Sequence, residues 1–500
     1  MNYTKILRNH ARNRPRHPAI LEVGSAISYE AFDRLVDAAA TRLLQAGMRQ
    51  GDLAAVAMGD SAEHLIVFFA ALRIGAIFHG VSPAASAAEL RQDCENLGVR
   101  WFVADAEGAG AAPPGIDMIG VDQAWRDASP ATLPVDMPDD PALPAYLVPT
   151  SGTSSGKTRA VLFTHGDLAL RLQYSQMNMG YGPWDRYTSL VPLAFNVGRI
   201  HFVHTLQAAG TALFLPPTLS FAALPSILAG NAISWMFVTP HHLRNMLRSV
   251  PRTGRPALAG LRQLVVGSSV LTAQERADAR EFLSPNLVEQ YGTAQCGLHS
   301  TSSRADQIAA PDSVGRIVIG TEAEIVDDRG RPVPRGATGE IRLRGPGFPT
   351  GYYRDPEGSA AAFRDGWFHP GDLAAIDNSG YLHLKGRIDD MFVFDGFNIF
   401  PDEIEAVLAQ HPQIAEVAIV GQRSDLNQEL PVAFVVTRGE VSSEELHRFC
   451  AARLTQYRRP RGFYFVPALP KNDMGKVLRR QLRANLPVIV SSSLAPLNSP

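Results

Sequence analysis

The chain has 500 residues and a formal charge of −2, from 47 lysines and arginines against 49 aspartates and glutamates. That length is too great for one core and implies several lobes of roughly 150 residues, and the balanced charge excludes the basic footprint of a nucleic-acid binder. Cys94, Cys296 and Cys450 stand apart with no CxxC pair, which argues against a disulfide framework or structural zinc and fits a reducing, cytoplasmic setting, while the lack of a signal-type apolar run or an uninterrupted stretch of about 20 apolar residues predicts no membrane span.

In chain order, Ser28 is placed to cap a helix whose apolar face is Phe32, Leu35, Val36, Ala39 and Leu43, at i, i+3, i+4, i+7 spacing. Residues 53–58 read as a buried strand, 64–74 as a helix and 76–81 as a strand, an alternation that implies parallel sheets covered by helices. A Pro- and Ala-rich surface loop is expected at 127–146, and alternation resumes at 187–266. Residues 317–343 differ: short antiparallel strands are predicted there, broken by Asp-Asp-Arg-Gly and Pro-Arg-Gly-Ala turns. Near 386–390 the pattern changes to compact α+β, which runs to about 486, and a Ser- and Pro-rich tail at 487–500 is expected to be loosely ordered.

Five segments carry chemistry. Thr150-Ser151-Gly152-Thr153-Ser154-Ser155-Gly156-Lys157-Thr158-Arg159 follows the apolar Tyr146-Leu147-Val148. Its small residues let backbone N–H groups and hydroxyls approach a phosphate, whose charge Lys157 and Arg159 can balance. It is not a Walker loop, which has four residues between its glycines; Gly152 and Gly156 enclose three. Glu289-Gln290-Tyr291-Gly292-Thr293-Ala294-Gln295 offers a ring for a base to stack on. Trp367-Phe368-His369-Pro370-Gly371-Asp372 ends in a carboxylate able to accept from a ribose diol, or to cap its own turn. Gly386-Arg387-Ile388-Asp389-Asp390, followed by Gly396-Phe397-Asn398, reads as a polar hinge or as a solvated turn. In Pro470-Lys471-Asn472-Asp473-Met474-Gly475-Lys476, Gly475 can let a loop carry Lys476 into a site.

The order and spacing of these five segments resemble the acyl-adenylate-forming superfamily: acyl-CoA synthetases, adenylation domains of nonribosomal peptide synthetases and beetle luciferases. The resemblance spans about 28–486 and is nearest to acyl-CoA and aryl-CoA ligases. It implies an α/β fold, with a large N-terminal AMP- and acyl-binding domain of helix-covered β-sheets and a small β-rich subdomain (1–386), then a mobile C-terminal α+β domain (387–486). The implied activity is ATP-dependent conversion of a carboxylic acid to acyl-AMP, with pyrophosphate release, and transfer to coenzyme A. ATP, Mg2+ and coenzyme A are the implied cofactors. Loading of a carrier protein, or non-catalytic binding of an acyl group or nucleotide, are the alternatives.

By the same resemblance, 150–159 would hold the β- and γ-phosphates, Tyr291 would pack on adenine, and Asp372 would bind the ribose with help from Arg387. Lys476 would bridge the acid's carboxylate and the α-phosphate. Asp389 would be the pivot of the small domain, and Gly396 would line the pantetheine tunnel. The acyl pocket would be formed by Phe195, Asn196, Val197, Thr239, His241, Gly267 and Ser268. The chain departs from the family pattern in four places. The phosphate loop has one extra residue, Ser154 or Ser155. Thr158-Arg159 replaces Pro-Lys. Ala294-Gln295 replaces Thr-Glu, leaving Gln295 at the metal position and Thr293 or Ser155 as a substitute hydroxyl. Phe195 stands in a segment that often carries histidine.

Overall fold

The computed structural model describes residues 1–22, 24–126, 137–150, 159–216, 218–252, 254–269, 271–394, 397–424, 429–472, 475–484 and 486, with the side chains of 397 and 398 left aside. Residues 151–158 of the expected phosphate loop and Gly396 lie outside the described residues. The chain forms two compact units, Met1–Glu322 with Leu343–Phe368, and Ala323–Arg342 with the residues from His369 on.

In the first unit the expected helix runs over Tyr29–Ala46. The Ser28 side chain accepts from the Ala31 amide, and Gly47 ends the helix in the left-handed region. Phe32, Leu35, Val36, Ala39 and Leu43 are all buried. A second helix, Ala62–Arg73, is buried on every side; its Arg73 is stabilised by ion pairs of 2.6 and 2.8 Å to Asp33 and Asp37. These helices accompany a six-stranded sheet in the order Asp117–Gly120, Trp101–Ala104, Leu53–Ala57, Ile77–Val81, Pro144–Pro149 and Ala160–Thr164. All its neighbours are parallel except the last pair. Residues 144–146, read from sequence as loop, belong to the strand that leads into the phosphate loop.

The larger sheet has nine strands, and its centre is parallel: Arg186–Ser189, Trp235–Val238, Gln263–Val266 and Leu287–Thr293 lie side by side. Leu264, Val266, Met236 and Val238 are fully buried against helices on one face. This is the α/β layering that the alternation predicts.

The second unit contains antiparallel strands, with Gly339 opposite Ala374 and Asp372 opposite Arg387. Beyond a two-stranded ribbon, Phe392–Phe394 with Phe397–Ile399, comes a three-stranded sheet of Ile414–Arg423, Glu429–Thr437 and Gly462–Phe465. Helix Pro401–Leu408 packs its Ile404 and Leu408 into the apolar core of this part. Among the described residues no helix is long and apolar enough to cross a membrane.

Candidate active site

The parallel strands of the large sheet end in register: Val238, Val266 and Glu289 are neighbours. Thr239 and Gly267 therefore emerge at the carboxyl ends of their strands, where open α/β sheets bind ligands, beside Gln290, at which the parallel pairing of strand Leu287–Thr293 stops and its antiparallel pairing continues. Thr239 caps helix Pro240–Ser249, and its hydroxyl lies 3.1 Å from His242 Nδ1, so a structural bond already occupies it. His241 Nε2 sits 3.1 Å from Asn245 Nδ2. Gly267 is buried for a steric reason. A Cβ there would stand 2.9 Å from Gln290 Cγ and 3.3 Å from the Phe237 ring. Ser268 follows with φ of 79°, a left-handed conformation that costs a non-glycine residue about 1–3 kcal/mol and collects at functional sites.

Phe195 is the N-cap residue of helix Asn196–Gln207, and Asn196 and Val197 form its first turn, half-buried. Asn196 Oδ1 accepts from the Tyr146 hydroxyl at 2.7 Å. That hydroxyl in turn accepts from Arg199, whose guanidinium also donates to the Leu193 carbonyl. Arg199 is 1% exposed and lies over the rings of Phe78 and Tyr146 at 4.7 and 5.1 Å. The asparagine oxygen is thus engaged, and among the described residues its amide hydrogens meet no acceptor. Asn196→Leu is expected to move the acid preference toward less polar acyl groups, by about 1–3 kcal/mol for an acid that pairs with the amide. The check is pyrophosphate exchange over polar and apolar acids; an unchanged ranking would assign Asn196 to Tyr146 alone.

Strand Leu287–Thr293 carries Tyr291, half-buried, its ring 5.5 Å from that of His299. Thr293 Oγ1 lies 3.0 Å from His299 Nε2 and accepts from the Cys296 amide at 3.1 Å. Burial pushes His299 down to about 3, so this ring is neutral. Gln295 Nε2 donates to the Tyr352 hydroxyl at 3.2 Å, and the Gln295 backbone carbonyl accepts from Arg171 at 3.4 Å. At the base of the phosphate loop the Thr150 amide donates to the Arg159 carbonyl at 2.8 Å. The Arg159 guanidinium, read from sequence as a phosphate counter-charge, is held by Asp355 at 2.9 Å and lies over the Tyr352 ring.

The second unit assembles the residues that sequence spreads most widely. Arg387 Nη1 donates to Asp372 Oδ1 at 3.0 Å and to the Pro370 carbonyl at 2.8 Å. Gly371, at φ of 77°, turns the chain before Asp372. Lys476 belongs to the same neighbourhood. Its side chain stays open to solvent, yet partial desolvation and the Arg387 charge lower its pKa, against the pull of Asp390 and Asp372. Its loop is held by reciprocal bonds to Asn472, with Gly475 in the left-handed region at φ of 76°. Three residues on, Arg479 pairs with Asp402 at 2.6 Å, Glu405 at 2.8 Å and Asp390 at 3.3 Å. Asp389 is exposed in the turn after strand Leu382–Arg387, 3.7 Å from Arg387.

Residues 7–353 match the family described as AMP-binding enzyme, and 403–476 match its C-terminal domain. The chain belongs to the AMP-binding enzyme family. It is 30% identical to the indoleacetate–CoA ligase of Aromatoleum aromaticum, over 97% of this chain and 98% of that protein. It is 28% identical to the fatty acid–[acyl-carrier-protein] ligase ScoC of Streptomyces coeruleorubidus, over 95% and 94%. ATP-bound MatB from Rhodopseudomonas palustris superposes with a TM-score of 0.86 at 26% identity, covering 97% of this chain and 99% of that one.

Among the described residues no group of three or more His, Cys, Asp or Glu side chains gathers, and Gln295, which the family resemblance places at the metal, carries a neutral carboxamide. The neighbourhood also contains Tyr146, Arg171, Arg199, His201, Gln290 and Tyr352, which the sequence does not single out. Only Gln290 lies inside a motif already marked, and strand register was the missing signal.

Proposed function

We propose that this AMP-binding enzyme is an AMP-forming acid–thiol ligase: it activates a carboxylic acid with ATP as acyl-AMP, releasing pyrophosphate, and passes the acyl group to coenzyme A. The observation that carries the reading is the neighbourhood of Lys476, Asp372 and Arg387 in one compact unit of a chain that matches the family at both ends.

In the first step a carboxylate oxygen attacks the α-phosphorus and the bond to the pyrophosphate oxygen breaks. Both partners are anionic, so the transition state needs fixed positive charge. Lys476 supplies it between carboxylate and α-phosphate. Asp372, oriented by Arg387, accepts from the ribose hydroxyls, Tyr291 packs on adenine, and Thr150 with the loop to Arg159 holds the outer phosphates. Mg2+, when bound with ATP, supplies further positive charge beside Gln295. In the second step the thiol sulfur attacks the acyl carbon and AMP leaves with the bonding pair. Lys476 is then no longer required, and we assign Asp389 as the pivot about which residues 387–486 turn, with Gly396 on the pantetheine path.

Phe195, Asn196, Val197, His241, Gly267 and Ser268 are proposed to face the acyl group; Thr239 supports them through its helix cap. A cytosolic setting is supported by three free, buried cysteines. A carrier protein as acceptor is the second reading, favoured by the relation to ScoC. ATP–pyrophosphate exchange over short, medium and aromatic acids tests the first step, and its absence with every acid would remove the ligase reading. Acceptance of free coenzyme A separates the two acceptors.

Gln295→Glu is expected to lower the magnesium concentration that gives half-maximal exchange, because a carboxylate holds this hard cation better than an amide. The Tyr352 hydroxyl, now an acceptor from Gln295, can turn to donate to the carboxylate. A higher magnesium requirement in the variant would place Gln295 away from the metal.

A further inference from the structure

The loop that carries Lys476 is closed at its base. Lys471 and Val477 form an antiparallel bridge, and the Leu478 amide donates to the Pro470 carbonyl at 2.8 Å. Helix Arg479–Ala484 starts directly after this closure, so Arg479 stands at the base of the loop. Its side chain is 14% exposed and meets three carboxylates. Nη2 donates to Asp402 Oδ1 at 2.6 Å and to the two Glu405 oxygens at 2.9 and 2.8 Å, and Nη1 donates to Asp390 Oδ2 at 3.3 Å. These acceptors come from two places. Asp402 and Glu405 belong to helix Pro401–Leu408, whose Ile404 and Leu408 sit in the apolar core. Asp390 follows Asp389 in the turn, and its backbone carbonyl also accepts from Arg483 of the short helix at 3.1 Å. One guanidinium thus joins the base of the Lys476 loop, a core helix and the turn that holds the assigned pivot.

The charge balance argues for more than a stabilising pair. Three carboxylates face one cation, and burial raises the pKa of Glu405 against the pull of Arg479. Desolvation offsets much of what such an arrangement gains in stability, whereas the planar fork of the guanidinium fixes the directions of its partners. Direction is what Lys476 needs, since a misplacement of about 1 Å at a reacting centre can cost about 10²-fold in rate.

We propose that Arg479 is a positioning residue for adenylation: it fastens the base of the Lys476 loop to Asp390 and to helix Pro401–Leu408, so that a turn about Asp389 delivers the lysine as part of one rigid piece. The proposal rests on the adenylating role assigned to Lys476.

The test uses the full chain with Arg479→Gln, Lys476→Ala and the double variant. Acyl-AMP formation is measured with an acid that supports pyrophosphate exchange, and thioester formation is measured separately from supplied acyl-AMP. Arg479→Gln is expected to slow acyl-AMP formation about tenfold or more, with KM for ATP and acid, and the rate of thioester formation, each within about threefold of wild type. In the Lys476→Ala background the same substitution should slow acyl-AMP formation by less than about threefold more, because the residue it positions is gone. Asp390→Ala, which leaves Arg479 bonded to Asp402 and Glu405 and cuts only the side-chain arm to the turn, should give the same pattern with a loss of about threefold or more, and it carries the test if Arg479→Gln does not fold. Wild-type adenylation in both variants, equal losses in the two half-reactions, or a full further tenfold loss in the Lys476→Ala background overturns the proposal. Lys476→Ala that adenylates at the wild-type rate removes the reading on which it rests.

Discussion

Replacing Lys476 with alanine is expected to slow acyl-adenylate formation by about 10²-fold or more, while thioester formation from supplied acyl-adenylate is largely kept. The argument is electrostatic. Charge develops on the α-phosphoryl group as a carboxylate approaches it, and a cation positioned at that point contributes most when it is shielded from water. Lys476 is open to solvent in the free chain, yet desolvation and the Arg387 guanidinium already lower its pKa, and only partly do Asp390 and Asp372 oppose them; bound ATP and acid would add the shielding. The sign gives a companion expectation. A lysine whose pKa is lowered loses its proton at a lower pH than an ordinary lysine, so adenylation should fall on the alkaline side as pH rises through that value, and this limb should be missing from the alanine variant. Single-turnover assays of the two half-reactions measure the effect. Equal losses in both would remove Lys476 from the adenylation step.

The parts of the molecule that could be read from sequence are those set by local pattern. Ser28 and the stripe from Phe32 to Leu43 fix a helix through a cap and a 3.6-residue period, and both are present as expected. Alternating apolar segments announce parallel strands with covering helices, as the two large sheets show. What could not be read are pairings between residues far apart in the chain. Arg159 looks like a free cation in a glycine-rich segment, yet it meets Asp355, which nothing in its own neighbourhood indicates. Thr239 has the composition of a pocket residue, and its hydroxyl serves the helix it begins. Tyr146, on the strand that leads into the phosphate loop, meets both Asn196 and Arg199 of a helix 50 residues further on. Gln290 acquires meaning only from register: it follows Glu289, which lies beside Val266, and so arrives next to Gly267. The candidate site was therefore legible as a set of motifs, through family resemblance, and not as a set of contacts.

Asp389→Pro is expected to leave acyl-AMP formation within a few-fold of wild type and to reduce overall thioester production by about 10²-fold or more. The substitution is mild for the folded chain. Asp389 is exposed in the turn between strand Leu382–Arg387 and the Phe392–Phe394 ribbon. The turn's backbone bonds run from the amides of Ile388, Asp390 and Met391 to Gly371 and Arg387; among the described residues none uses the Asp389 amide. Proline there removes no ladder bond, and its side chain gives up only a 3.7 Å ion pair with Arg387, which at such exposure contributes little. What proline does change is freedom. It fixes φ near −65° and narrows the choices of Ile388 before it. A pivot must adopt two backbone conformations in each turnover, and a residue held in one of them halts the cycle after the step that this conformation serves. Burst kinetics separates the outcomes: one equivalent of acyl-AMP formed at the normal rate, followed by little thioester, is the expected record. Unchanged steady-state turnover would show that the dihedral change lies elsewhere, with the flanking Asp390, tied by Arg479 to Asp402 and Glu405, as the next position to examine.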